Sequence, residues 1–282
     1  MKYISEGELY LSFDFLDSWH REVANQNKNK EGARYKYPES LIRFCSVIKI
    51  CSHLGYRQEQ GFLKSLQTWI PIPEIISYTQ INRRINNLGL DIIKSLAKQE
   101  DAQIIAIDSS GIKLYNSGEW IREKHKKRKP FLKLHIAVNT KTKQAVAIEV
   151  TEDSVGDNKL GLKLIDKARK IGRVSKGILD GAYDAYDIWN GLNARGIKSL
   201  IRLRKNAVVK YKKSQTRSQA VKCYKGNEKE WVKANDFGQR WQVECYFSSF
   251  KRRFGEFCFA RKPEFVLHEV LMKCCLLNSL IG

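Results

Sequence analysis

Residues 103–115 read QIIAIDSSGIKLY, and this stretch decides how the chain is organised. Ile104, Ile105, Ala106, Ile107 and Ile112 are apolar, and β-branched side chains flank Ala106. That composition belongs to a central strand buried on both faces. One carboxylate, Asp108, stands within it, followed by two hydroxyls and a glycine. A charge is costly to bury without a partner, so a strand built only for packing avoids one. Asp108 either caps a turn at the strand end or holds a cation, and the flanking chain must decide between the two.

Outward from this strand the apolar period stays near two. Phe131–Asn139 (FLKLHIAVN) and Gln144–Asp153 (QAVAIEVTED) read as two more strands joined by the hairpin-sized loop Thr140–Lys143. A helix is expected from Asp157 to about Ile171, with Asp157 as its N-cap in preference to a catalytic role. Val174–Leu179 is a short strand ending at Asp180-Gly181, Asp187–Ala194 a helix, and the stretch from Lys198 (KSLIRLRKN) a further strand. A basic stretch and a final helical region follow. Three antiparallel strands, then parallel strands with crossover helices, is the order of the ribonuclease-H-like fold. In that order the first and fourth strands are neighbours, so Asp108 and Asp180 converge.

A third acid lies in FGQRWQVECYFSSFKRRF (237–254). Val243, Phe247 and Phe250 share one helical side. Arg240, Glu244, Ser248 and Lys251 make another stripe. This is either a helix stabilised by charge pairing or one that aims Glu244 at Asp108 and Asp180, with Arg240 and Lys251 holding phosphates. Three converging carboxylates need a cation. Hard oxygen donors suit Mg²⁺ or Mn²⁺, and a pair of such ions drives in-line phosphoryl displacement.

The totals agree with a polyanion partner. Of 282 residues, 51 are Lys or Arg and 30 are Asp or Glu, a net charge of +21. Nucleic acid is the usual ligand of so basic a chain. An apolar fraction of 43% excludes a disordered chain. No apolar run is long enough to span a bilayer. Acidic residues interrupt the region where a secretory signal would be apolar, so a cytoplasmic, nucleoid-associated protein with no membrane contact is expected. The seven cysteines include no Cys-x-x-Cys pair, which argues against zinc and for small core residues.

Upstream, helical spacing begins near Pro38, after an N-terminal segment (1–35) whose polar run Asn25–Gly32 reads as frayed or linking. Three short helices are expected over 36–98. The last carries Gln80, Asn82, Arg83, Arg84 and Asn86. This is either a helix-turn-helix-like DNA-binding domain or a helical domain with a solvated polar face. The basic run Lys124–Lys129, with Lys126 and Lys127 at its centre, is read as a DNA contact between the first two strands. Trp120 and Trp241 either stack on bases or belong to the core. His125 and His135 are structural or phosphate-facing.

Taken together, the motifs IDSSGIKLYNSGEW (107–120), LDGAYDAYD (179–187), Phe237-x2-Arg240-x3-Glu244-x6-Lys251, RKNA (204–207) and the upstream YRQEQGFLKSL (56–66) with YTQINRR (78–84) resemble an insertion-sequence DDE transposase over about residues 40–255. The third motif is similar to that family's Tyr-Arg-Glu-Lys signature, with Phe237 in place of Tyr: the hydroxyl is lost and the stacking face kept. LIRLRKNA also lacks the prolines often found before RKNA. The resemblance implies an α/β, ribonuclease-H-like mixed sheet with flanking helices (99–282, with a basic insertion at about 208–236) behind a small all-helical domain. It implies Asp108, Asp180 and Glu244 as catalytic metal ligands for two Mg²⁺ (or Mn²⁺) ions. DNA contacts are expected from Arg240, Lys251, Arg252, Lys126, Lys127, Arg83 and Arg84. The partners would be double-stranded DNA, as element ends and target, and further copies of the chain. A nuclease without strand transfer and a non-catalytic DNA-binding derivative remain as alternatives.

Overall fold

Strand β1 (Gln103–Leu114) is covered on both sides, as its isoleucines require. Ile105 and Ile107 enter one core with Leu164 and Ile165, while Ile104 packs on the other face against a cluster of Ile178, Leu200, Trp231 and Phe237. The computed structural model describes residues 12–96, 102–114, 131–204, 206–260 and 262–281. They fall into two compact units, Met1–Leu90 and Asp91–Gly282.

In the second unit β1 pairs antiparallel with β2 (Phe131–Asn139), and β2 with β3 (Ala145–Glu152). On its other edge β1 runs parallel to β4 (Val174–Leu179), which pairs with β5 (Lys198–Ile201). The order is therefore β3-β2-β1-β4-β5, the ribonuclease-H-like arrangement. Between β3 and β4 lies α5 (Asn158–Arg169), and between β4 and β5 lies α6 (Tyr186–Ala194). Both bury their apolar sides in the Ile105–Ile107 core. The other face is contacted by α9 (Trp241–Phe254) on β1 and β2 and by α10 (Pro263–Ile281) on β3.

Beyond the end of β4, the free edge of β1 is taken up by β6 (Phe257–Cys258), paired in parallel with Lys113 and Leu114. A buried ion pair fixes it. Lys273 Nζ lies 2.8 Å from Glu269 and donates to the Phe257 carbonyl at 2.9 Å. Glu269 accepts the N–H groups of Phe259 and Ala260. Backbone groups in and just after the short strand thus satisfy charges that burial alone would penalise.

The basic insertion is more ordered than its composition suggests. It forms α7 (Gln215–Gly226) and α8 (Glu228–Ala234). Ser214 and Asn227 cap them by accepting from Arg217 N and Glu230 N. Val221 and Trp231 anchor the pair to the sheet unit.

The first unit holds α1 (Asp14–Asn27), α2 (Glu39–Ser52), α3 (Tyr56–Leu66) and α4 (Tyr78–Asn86). The last three lie where the apolar period puts them. Helix α1 is new: Phe15 and Trp19, one turn apart, are buried, and only its end enters the polar run. No helix among the described residues is long and apolar enough to cross a membrane.

Candidate active site

Ile107 and Leu179 are register partners in the parallel β1–β4 pair. Asp108 and Asp180 are the next residues along, so the two carboxylates stand on neighbouring strands. Asp108 lies opposite Ile136 of β2, on the sheet face over which α9 crosses. β4 stops at Leu179, and Asp180 begins a single 3-10 turn, Gly181–Tyr183. That turn is pinned by Arg204, the arginine of RKNA, whose Nε donates to the Gly181 carbonyl at 3.3 Å.

Helix α9 brings the third acid. Val243, Tyr246, Phe247, Phe250 and Phe254 face inward, which leaves Glu244 half-buried at the sheet side with Arg240 one turn before it. The 3-10 turn leading into α9 is tied to the β2–β3 hairpin by Thr140 Oγ1 donating to Gln239 at 2.9 Å. Arg240 then bridges two of the acids. Nη1 lies 3.2 Å from Asp108 Oδ2, and Nη2 donates to Glu244 Oε1. Asp108 Oδ1 accepts its neighbour's backbone N–H, Ser109, at 2.8 Å.

Burial pushes the Asp108 carboxyl above the usual range, and the nearby charges of Asp180 and Glu244 push the same way; Ser109 N–H and Arg240 act against them. A carboxylate that feels two like charges calls for a cation beside it. In this arrangement the guanidinium supplies the positive charge. Among the described residues, no three acidic, His or Cys side chains are drawn together tightly enough to cage a metal ion. The donor set nevertheless fits Mg²⁺ or Mn²⁺ in kind, being hard carboxylate oxygen throughout.

The other expected site residues separate into several groups. Lys251, half-buried, lies 3.8 Å from Glu256, a carboxylate that Lys113 also approaches at 3.4 Å. Arg252 and Arg83 are exposed. Arg84 is turned into the helical unit instead: it donates to the Tyr37 carbonyl and to Gln26, and stacks over Tyr35. Lys126 and Lys127, with Trp120 and His125, lie outside the described residues. Trp241 is 62% exposed and lines a groove of about 320 Å³ with Arg202, Tyr224, Arg240 and Glu244. Phe237 is buried in the core, where its ring packs tilted on Trp231, and it also borders this groove.

The expected N-cap is corrected, and of the two alternatives left for His135 the structural one holds. Asp157 precedes α5 but makes no capping hydrogen bond; its carboxylate pairs with Lys133 at 3.1 Å and lies 3.8 Å from His135. His135 is fully buried against Thr151, which leaves it no phosphate-facing side. One structural neighbour of the site is not legible in the sequence. Arg217 of α7 grips Asp184, four residues after Asp180, through two hydrogen bonds. In the sequence it is one cation within a basic stretch.

The sheet order and the acids at its centre define a ribonuclease-H-like protein with an acidic site. Residues 99–279 match the family model described as transposase DDE domain, and residues 5–117 match a second model of that description. The chain belongs to the DDE-domain transposases. Among solved structures it is similar to piggyBac transposase in a synaptic complex with hairpin DNA, at 10% identity over 99% of this chain and 74% of that one, with a TM-score of 0.47. The Drosophila P element transposase in a strand transfer complex is similar at 14% identity, over 67% of this chain and 47% of that one, with a TM-score of 0.37. A simian T-cell lymphotropic virus intasome in complex with a PP2A regulatory subunit, B56 gamma, is similar at 12% identity, over 70% and 64%, with a TM-score of 0.29.

Proposed function

We propose that this transposase binds the terminal inverted repeats of a mobile element, cleaves the element ends by metal-dependent hydrolysis and joins the resulting 3′-hydroxyls to target DNA. The observation that carries this reading is the register of β1 and β4, which sets Asp108 beside Asp180 on the face crossed by the helix of Glu244. Asp108, Asp180 and Glu244 would hold the ions. Two divalent cations bound there would activate a water or a 3′-hydroxyl and stabilise the leaving oxygen.

The chain's own residues do the rest. Ser109 N–H fixes one Asp108 oxygen and so orients the carboxylate. Arg240, with its partly open guanidinium, and Lys251 at the far end of the α9 stripe offer cations to phosphates flanking the cut. Arg252 and Arg83 are exposed for further backbone contacts. Lys126 and Lys127 belong to the same proposal on their charge. A multimer on DNA is the expected working form.

Incubating the chain with the DNA that flanks its coding region and Mg²⁺ tests the reading. Cut ends, followed by joined products when pre-cleaved ends meet a target plasmid, are expected. Cut ends that never join would instead indicate a nuclease. Binding without cutting would indicate a non-catalytic derivative.

A further inference from the structure

Arg240 occupies the place where a cation is needed. Its two terminal nitrogens reach Asp108 Oδ2, on a strand 132 residues earlier in the chain, and Glu244 Oε1, one turn further along its own helix. With Ser109 N–H on Oδ1, both oxygens of Asp108 are engaged. A guanidinium 3.2 Å from Asp108 repels a dication approaching the same oxygens. Arg240 is also only partly buried: 21% of its side chain is exposed. It can therefore exchange a carboxylate at small cost for another anion with two accepting oxygens, and the tetrahedral DNA phosphate, with its two non-bridging oxygens, is such an anion.

We propose that Arg240 is a gate on the acidic site: in the free chain it is the counter-ion of Asp108 and Glu244 and competes with divalent metal, and a DNA phosphate draws it away so that metal loading follows DNA binding. The inference rests on the reading of Asp108, Asp180 and Glu244 as metal ligands. Its consequence is a chain that does not assemble a reactive centre until DNA is in place. By linkage, metal and DNA must each raise the affinity for the other, and the coupling must pass through Arg240.

The full-length chain can be titrated with Mn²⁺ alone, without DNA, following the free ion by electron paramagnetic resonance. Wild type, R240Q, R240K and D108N are compared with R43Q, which removes the same charge from the helical unit. Circular dichroism confirms folding, and R240K, which keeps the charge but has no fork to span both acids, serves if R240Q does not fold. R240Q is expected to bind Mn²⁺ roughly tenfold more tightly than wild type, with R240K between them and R43Q unchanged. A labelled duplex should bind wild type more tightly when Ca²⁺ replaces monovalent salt at equal ionic strength, and R240Q should lose that gain. Equal Mn²⁺ affinity in wild type, R240Q and R240K, abolished by D108N, would overturn the gate and leave the acidic site standing. Mn²⁺ binding that D108N does not alter would overturn the acidic site itself, and the gate with it.

Discussion

Arg217 closes on Asp184 as a forked pair, Nε to Oδ1 at 2.7 Å and Nη2 to Oδ2 at 2.8 Å, with both side chains nearly sealed from water. Trp189 adds a third hydrogen bond to Asp184, and Arg217 Nη1 reaches the Val208 carbonyl. The pair joins the α7 insertion to the loop that carries Asp180. Its acid and base are so fully used that neither can be spared.

Removing one partner should therefore cost more than the pair contributes as a whole. R217M is expected to destabilise the chain by about 3 kcal/mol or more, because it strands a buried carboxylate. D184N should cost a similar amount, and D184N/R217M less than the sum. Burial acts to raise the Asp184 carboxyl, but the bonds from Arg217 and Trp189 outweigh it and hold it below the ordinary 3.8. A depressed folded value stabilises at higher pH, so this contribution is present above about pH 4 and lost as acid titrates the carboxylate. Urea melts of the four proteins at neutral and acid pH check both the coupling and the sign.

Glu59 gives the opposite sign in the helical unit. It is fully buried on α3, and neither carboxyl oxygen has a hydrogen-bond partner. Burial pushes its carboxyl from 4.5 up to about 8, against the opposing charge of Lys49. A raised folded value means that stability is full below about 4.5 and falls as the pH rises toward 8. E59M should remove that dependence. The stability gained by E59M over wild type should grow by about 1.4 kcal/mol per pH unit across this window. A gain that stays constant from pH 5 to pH 8 in denaturant titrations would contradict it.

Arg83 and Arg84 are adjacent in sequence and differ in surroundings. Arg83 is exposed, whereas Arg84 is tied to Tyr37, Gln26 and Tyr35. R83Q should weaken duplex binding and reduce its salt slope by about one, with little change in melting. R84Q should mainly lower the stability of the helical unit. Anisotropy titrations at several salt concentrations, paired with thermal melts, separate the two effects.

These contrasts show which parts of the molecule could be read in advance. The strand order could, because β1 to β5 bury apolar or β-branched side chains in runs of the right length, separated by turn residues. Asp180 could be placed at a strand end because Gly181 follows it. The helix of Glu244 was legible from its phenylalanine stripe. What could not be read is what depends on long-range pairing. The (i, i+4) spacing of Arg240 and Glu244 is local, but the reach of Arg240 to Asp108 depends on how α9 crosses the sheet. Nor does any local pattern single out Arg217 among the cations around it. Helices α7 and α8 leave little apolar signal in the sequence because few apolar residues, chiefly Val221 and Trp231, anchor them. The pattern of α4 fixes Ile81 and Ile85 inward but not the reach of a long side chain at the boundary, such as that of Arg84.

Under the proposed function, Asp108 serves the chemistry of DNA cleavage and not the fold. Asp108→Asn keeps the shape and the hydrogen bond from Ser109 while removing the charge. Without divalent metal, D108N should bind element-end DNA at least as tightly as wild type and melt no lower; Mg²⁺ is then added to start the reaction. Its strand cleavage should fall by roughly a thousandfold or more, as expected when several kcal/mol of metal-derived stabilisation are lost. Cleavage by D108N at a rate near that of wild type would contradict the assignment of the site.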